Sequence, residues 1–112
     1  MRLAVAIWDD RISPVFDVSR RVLVVDIEKG KVVGKRIEMF TNDNPTHKLS
    51  KLSQLKVNTL ICGAISLPIA EMLNQHGIHI IPFITGELQK VIAAFLSGTL
   101  PNSDLSMPVA SA

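Results

Sequence analysis

The stretch Val57–Gly77, VNTLICGAISLPIAEMLNQHG, constrains the fold of this chain more than any other. Its first six residues, Val57–Cys62, are β-rich and turn apolar, as in a buried strand. Gly63-Ala64 permits a sharp exit. Ser66 is a natural N-cap, Pro68 is tolerated in a first helical turn, and Ile69, Met72 and Leu73 repeat at helical spacing. Gly77 stands where a left-handed residue ends a helix. Strands joined through helices run parallel with right-handed crossovers, so this stretch commits the chain to an α/β architecture. The turn also points backbone N–H groups at whatever lies above the sheet.

The rest of the chain supplies the partners of that unit. Leu3–Trp8 is almost continuously apolar, as in a strand covered on both faces. Asp9–Pro14 reads as a loop at its carboxyl end. Arg21–Ile27 is a second strand, Glu28-Lys29-Gly30-Lys31 a hairpin turn, and Val32–Phe40 an antiparallel return whose Lys35 and Arg36 suit an exposed edge. Asn44 with Pro45 opens a helix carrying Leu49, Leu52 and Leu55, with Lys48, Lys51 and Lys56 placed to its other side. Ile78–Pro82 is a short buried strand. Thr85 or Gly86 opens a last helix striped with Leu88, Val91, Ile92, Phe95 and Leu96 and ended by Gly98. The order is β-β-β-α-β-α-β-α: an α/β fold with a mixed five-stranded sheet and helices on both faces. Residues 1–98 form one domain, and 99–112 (TLPNSDLSMPVASA), without Lys or Arg, read as a flexible tail.

Composition narrows the function classes. A net charge of +2 argues against a dedicated nucleic-acid binder. The single cysteine forms no internal disulfide, no Cys-x-x-Cys zinc spacing occurs, and a reducing, cytoplasmic setting is expected. MRLAVAIW lacks the layout of a signal peptide, and no apolar run reaches the roughly 18 residues of a membrane span. No nucleophile–base pair, zinc signature or carboxylate set points to an enzyme. Asp9-Asp10 lacks the third and fourth acids of a two-metal nuclease, because the strand ending at Cys62 carries none.

If the first strand lies beside Val57–Cys62, connections leave it in opposite directions, and ligands bind outside the carboxyl ends at such a switch point. Asp9–Pro14, Cys62–Ser66 and Phe83–Gly86 meet there, and two helix N-termini favour an anion. Arg11 adds a cation in that loop; the competing reading is a surface arginine.

Three motifs in order, SPVFD at 13–17, ICGAIS followed by PIAEML, and GELQKVIAAFLSGTL, resemble the dinitrogenase iron–molybdenum cofactor-binding family over residues 2–100. That resemblance implies a ribonuclease H-like three-layer α/β/α fold. It also implies a non-catalytic carrier of an anionic metal–sulfide cluster, of Fe–Mo–S type or, as in the orange proteins, Mo–Cu–S type, with cluster donor and acceptor proteins as partners. The family's usual Phe-Gly appears here as Phe16-Asp17, its glycine pair as Gly63-Ala64, and its Ser-Gly-Pro as Ser66-Leu67-Pro68. The expected cofactor-binding set is Arg11, Ser13, Phe16, Gly63, Ala64, Ile65, Ser66, Thr85 and Gly86. Other readings of the same crevice are a binding module for a phosphate-bearing small molecule and a protein–protein adaptor.

Cys62 and His47 are the candidate metal ligands. A thiolate near a helix N-terminus has a lowered pKa and suits a soft metal; the alternative is a small apolar core residue. His47, in a first helical turn, either reaches a metal or is solvated. His76 and His79 lie at a helix end and a strand start, away from the crevice.

Overall fold

The computed structural model describes residues 1–108. Strand β1 (Arg2–Trp8) is followed by a two-residue strand β2 (Arg11–Ile12), the long hairpin β3 (Arg21–Glu28) and β4 (Lys31–Met39), and helix α1 (Pro45–Gln54). Strand β5 (Thr59–Ile61), helix α2 (Leu67–Gln75), strand β6 (His79–Ile81) and helix α3 (Leu88–Leu96) complete the regular elements. The main sheet runs β4-β3-β1-β5-β6. Strand β1 is antiparallel to β3 and parallel to β5, so connections do leave it in opposite directions.

The sheet has six strands where five were expected, because β2 folds back on β1, pairing Ile7 with Ile12 and Trp8 with Arg11. The loop expected over Asp9–Pro14 thus contains a strand, and two residues are too few to show a period. The strand expected over 57–62 is shorter, Thr59–Ile61, and α3 begins at Leu88 with Glu87 as N-cap rather than at Thr85 or Gly86.

Alternation along β1 builds two cores. Ala4 and Ala6, with Val22, Val24, Leu60 and Cys62, face Leu49 and Leu52 of α1 and Ile69 and Leu73 of α2. Leu3, Val5 and Ile7, with Leu23, Val25 and Ile61, face Val91 and Ile92 of α3. Helices on both faces make three layers, and each fully buried aliphatic side chain contributes about 1.5–3 kcal/mol. Strand β4 is the edge, with Lys35 and Arg36 exposed. Lys48, expected on the solvent side of α1, is instead 1% exposed.

The segment expected as a flexible tail makes main-chain contacts as far as Met107. The Thr85 N–H donates to the Leu105 carbonyl (2.8 Å), the Met107 N–H donates to the Phe83 carbonyl (2.7 Å), and Ile84 bridges Ser106. Residues 109–112 of that segment lie outside the described residues.

Candidate functional site

The three segments expected to line a crevice do meet at the carboxyl ends of β1, β5 and β6, and they pair with one another. Val15 and Ala64 form a parallel bridge, with the Ala64 N–H donating to the Pro14 carbonyl and the Phe16 N–H to the Ala64 carbonyl, both at 2.8 Å. The Phe83 N–H donates to the Gly63 carbonyl at 2.9 Å. Strand β2 reaches the other way: the Ile12 N–H donates to the Gly86 carbonyl at 3.1 Å and the Leu88 N–H to the Asp10 carbonyl at 2.8 Å. The crevice is therefore a seam of main-chain hydrogen bonds.

Gly63 explains why the seam closes. A Cβ built there would lie 2.5 Å from the Ser13 carbonyl oxygen and closer still to that of Pro14. The glycine serves backbone on backbone rather than backbone on ligand.

Three donors expected to face an anion already have partners. Ala64 donates to Pro14, Thr85 to Leu105, and the Ser66 N–H to Asp17 Oδ1 at 3.0 Å. Ser66 is the N-cap of α2, but its hydroxyl makes no capping bond. The Asp17 carboxylate instead accepts the N–H of the N-cap residue itself, the role an N3 acid plays in a capping box. A chain-borne anion thus sits at the helix N-terminus.

Cys62 is fully buried among the residues under α1 and α2. Burial pushes its thiol up to about 12, and the nearby Asp17 charge adds to the effect. The lowered pKa expected beside a helix N-terminus is reversed, because desolvation outweighs the dipole and the dipole is already answered by Asp17. Phe16 is also fully buried, its ring meeting Phe40 edge-to-face at 5.9 Å. It lies beneath the site.

His47 is exposed and its ring is held by the Asn42 side chain. It lines a small depression with Phe40, Thr41 and Lys51, none of which borders the seam. Arg11 is exposed on β2, its backbone bridging Glu87. Among the described residues no three His, Cys, Asp or Glu side chains converge as a metal site.

Open space lies beside the seam, over the ends of β1 and β3. A cavity of ≈ 470 Å³ is walled by Trp8, Pro14, Val15 and Val18, with Ser13 and Ser19 at its base. The Ser19 hydroxyl lies 2.6 Å from that of Ser13 and 2.7 Å from the Val15 carbonyl oxygen, so the two hydroxyls are spent on each other and the loop. Asp9, Arg20 and Arg21 provide its charge. Arg20 pairs with Asp43 at 2.7 Å, a hydrogen bond that holds the Asp43 carboxyl below its ordinary range. Trp8 and Val18 are 66% and 63% exposed, so the lining is an apolar surface left open to solvent.

The 13–19 segment consequently has two sides. Ser13, Val15, Val18 and Ser19 turn to the cavity, while Phe16 and Asp17 turn to the core and α2. Of the expected set, Ser13 alone borders the cavity; Gly63, Ala64, Ile65 and Ser66 lie along the seam, and Thr85 and Gly86 lie under the C-terminal segment. Asp17, Trp8, Val18, Arg20 and Arg21 were not singled out from sequence. The aspartate in SPVFD was the one available signal.

The family described as dinitrogenase iron-molybdenum cofactor matches residues 1–98. An uncharacterised protein of Methanocaldococcus jannaschii is 29% identical over 105 residues, covering 89% of both chains. The crystal structure of PH0822 superimposes with a TM-score of 0.85 at 24% identity, covering 92% of this chain and 95% of that one. The apo form of the orange protein from Desulfovibrio gigas gives a TM-score of 0.75 at 17% identity, covering 96% of each. At such identities the structural likeness concerns the fold. Among the described residues no helix is long and apolar enough to cross a membrane.

Proposed function

This chain belongs to the dinitrogenase iron–molybdenum cofactor family, and on that premise we propose that it is a non-catalytic carrier for an anionic metal–sulfide cluster. The observation that carries the reading is the apolar cavity bordered by Trp8, Val15, Val18, Arg20 and Arg21. Metal sulfides are large, polarisable and weakly hydrated. An apolar wall with Arg21 at its rim, beside Asp9 and the Asp43-paired Arg20, suits such an anion better than the small, strongly hydrated phosphate, which calls for several convergent N–H donors. Three of those donors, on Ala64, Ser66 and Thr85, are already taken by Pro14, Asp17 and Leu105. Capture is by charge and apolar contact, with Cys62 as core and His47 outside the site.

Both cargo compositions, Fe–Mo–S and Mo–Cu–S, fit this chemistry. A carrier of this kind works between a cluster donor and a cluster acceptor in the cytoplasm. The strand order β4-β3-β1-β5-β6 supports the ribonuclease H-like description of the fold.

Trp8 is the only tryptophan of the chain, so its fluorescence reports the cavity alone. Anaerobic titration with tetrathiomolybdate and copper(I), or with iron, molybdate and sulfide, is expected to give a stoichiometric visible chromophore and quench Trp8. A folded protein that shows neither, under any of these conditions, rules the reading out.

A further inference from the structure

The segment that walls the cavity contains only one short turn, Phe16–Val18, and it is held by a side chain from another element. Lys48 of α1 is fully enclosed, and its ammonium donates to the carbonyl oxygens of Phe16 and Asp17, each at 2.8 Å. It lies 5.1 Å from the centroid of the Phe16 ring and 5.3 Å from that of Phe40. The nearest carboxylate, Asp43, is 3.8 Å away, and its closer partner is Arg20. Lysine is almost never fully buried unless paired. Here two carbonyl dipoles and two ring faces stand in for a close counterion.

Direction is what these contacts supply. Two carbonyls of consecutive residues aimed at one ammonium fix the orientation of the peptide units on either side of Asp17. That orientation sends Val15 and Val18 one way and Phe16 and Asp17 the other. The Val15–Ala64 bridge and the Ser19 N–H on the Phe16 carbonyl hold the loop through its main chain, and Lys48 adds the fixed direction at Asp17.

We propose that Lys48 is a positioning residue for the cargo cavity, fixing the Val15–Ser19 wall through the carbonyl oxygens of Phe16 and Asp17. The proposal rests on the carrier reading for what occupies the cavity, whereas the position of the wall is measurable without cargo. Lys48 touches no cargo itself; it acts through the loop.

Wild type, Lys48→Met and Lys48→Arg are compared by NMR of the valine methyl groups and by tetrathiomolybdate titration followed through Trp8. Lys48→Met is expected to shift the Val15 and Val18 methyl resonances and weaken tetrathiomolybdate binding about tenfold. Lys48→Arg, which keeps the cation, is expected to recover both. A folded Lys48→Met protein with unmoved valine methyls and unchanged affinity overturns the proposal. No binding by wild type removes the carrier reading and leaves the methyl shifts to decide on Lys48. Should Lys48→Met not fold, wild type decides. Burial lowers the Lys48 pKa from 10.5, against the pull of Asp43 and Asp17. The Val15 and Val18 methyls should then titrate together with the Lys48 ε-carbon below pH 10.5. The charged groups facing the ammonium are Asp43, Asp17 and Arg20. The chain has no tyrosine to confuse the signal. Valine methyls that stay flat while Lys48 titrates overturn the proposal.

Discussion

The Asp17 carboxylate accepts the Ser66 N–H at 3.0 Å, so the start of α2 is held by a residue 49 positions earlier in the chain. Removing that acceptor should cost about 1 kcal/mol, the usual net worth of one hydrogen bond. Asp17→Ala is therefore expected to lower the urea midpoint, and Asp17→Asn, which retains an accepting oxygen, to lower it much less. Equal losses in the two variants would assign the effect to charge rather than to the hydrogen bond.

Gly63→Ala places a methyl group against the carbonyl oxygens of Ser13 and Pro14. Both belong to main chain, so neither can swing aside. A destabilisation of about 3 kcal/mol is expected, at the upper end of overpacking costs. Chemical denaturation measures it, and a loss below about 1 kcal/mol would show that the seam yields more easily than its hydrogen bonds imply.

The Cys62 thiol, pushed up to about 12 from 9.0, makes stability depend on alkaline pH. Between those values the folded state holds a proton that the unfolded chain releases. Its contribution is thus complete below pH 9.0 and is lost as pH rises toward 12, at about 1.4 kcal/mol per pH unit. Cys62→Ala should flatten that slope in denaturation curves taken across the range. The same burial predicts that wild type leaves thiol reagents unreacted at pH 8 until it unfolds, and that Cys62→Ser retains cargo.

Val18 is 63% exposed and borders the cavity, so it tests recognition apart from folding. Val18→Glu should change stability by no more than about 0.5 kcal/mol, as surface substitutions do. It should weaken tetrathiomolybdate binding about tenfold, since it sets an anion and its hydration shell against the cargo. Undiminished quenching of Trp8 in that variant would place the cargo elsewhere.

Much of the fold was legible because its signals are local. The run Leu3–Trp8, the Lys29-Gly30 turn, the Asn44-Pro45 start and the apolar stripes of the helices each declare an element within a few residues. What could not be read depended on partners far apart in sequence. Strand β2, a two-residue return on its neighbour β1, is instead too short to show a period, and Asp17 reaches α2 only because the fold brings Ser66 to it. Lys48 read as a solvated lysine because nothing in its helix hints at the carbonyls of Phe16 and Asp17. The meeting of three loops was correctly inferred from topology. That they would bond to one another, and leave the open space beside them, is a matter of hydrogen-bond geometry that composition does not encode.

The seam joining residues 13–16, 62–64 and 83–84 is made of main-chain atoms, whereas the cavity beside it is faced by side chains. Framework and lining are therefore separable. Substituting Val15, Val18 or Arg21 alters the size and charge of what fits without breaking one hydrogen bond of the frame. A single scaffold of this design admits differently sized and charged linings through a handful of substitutions, with its main-chain frame unchanged.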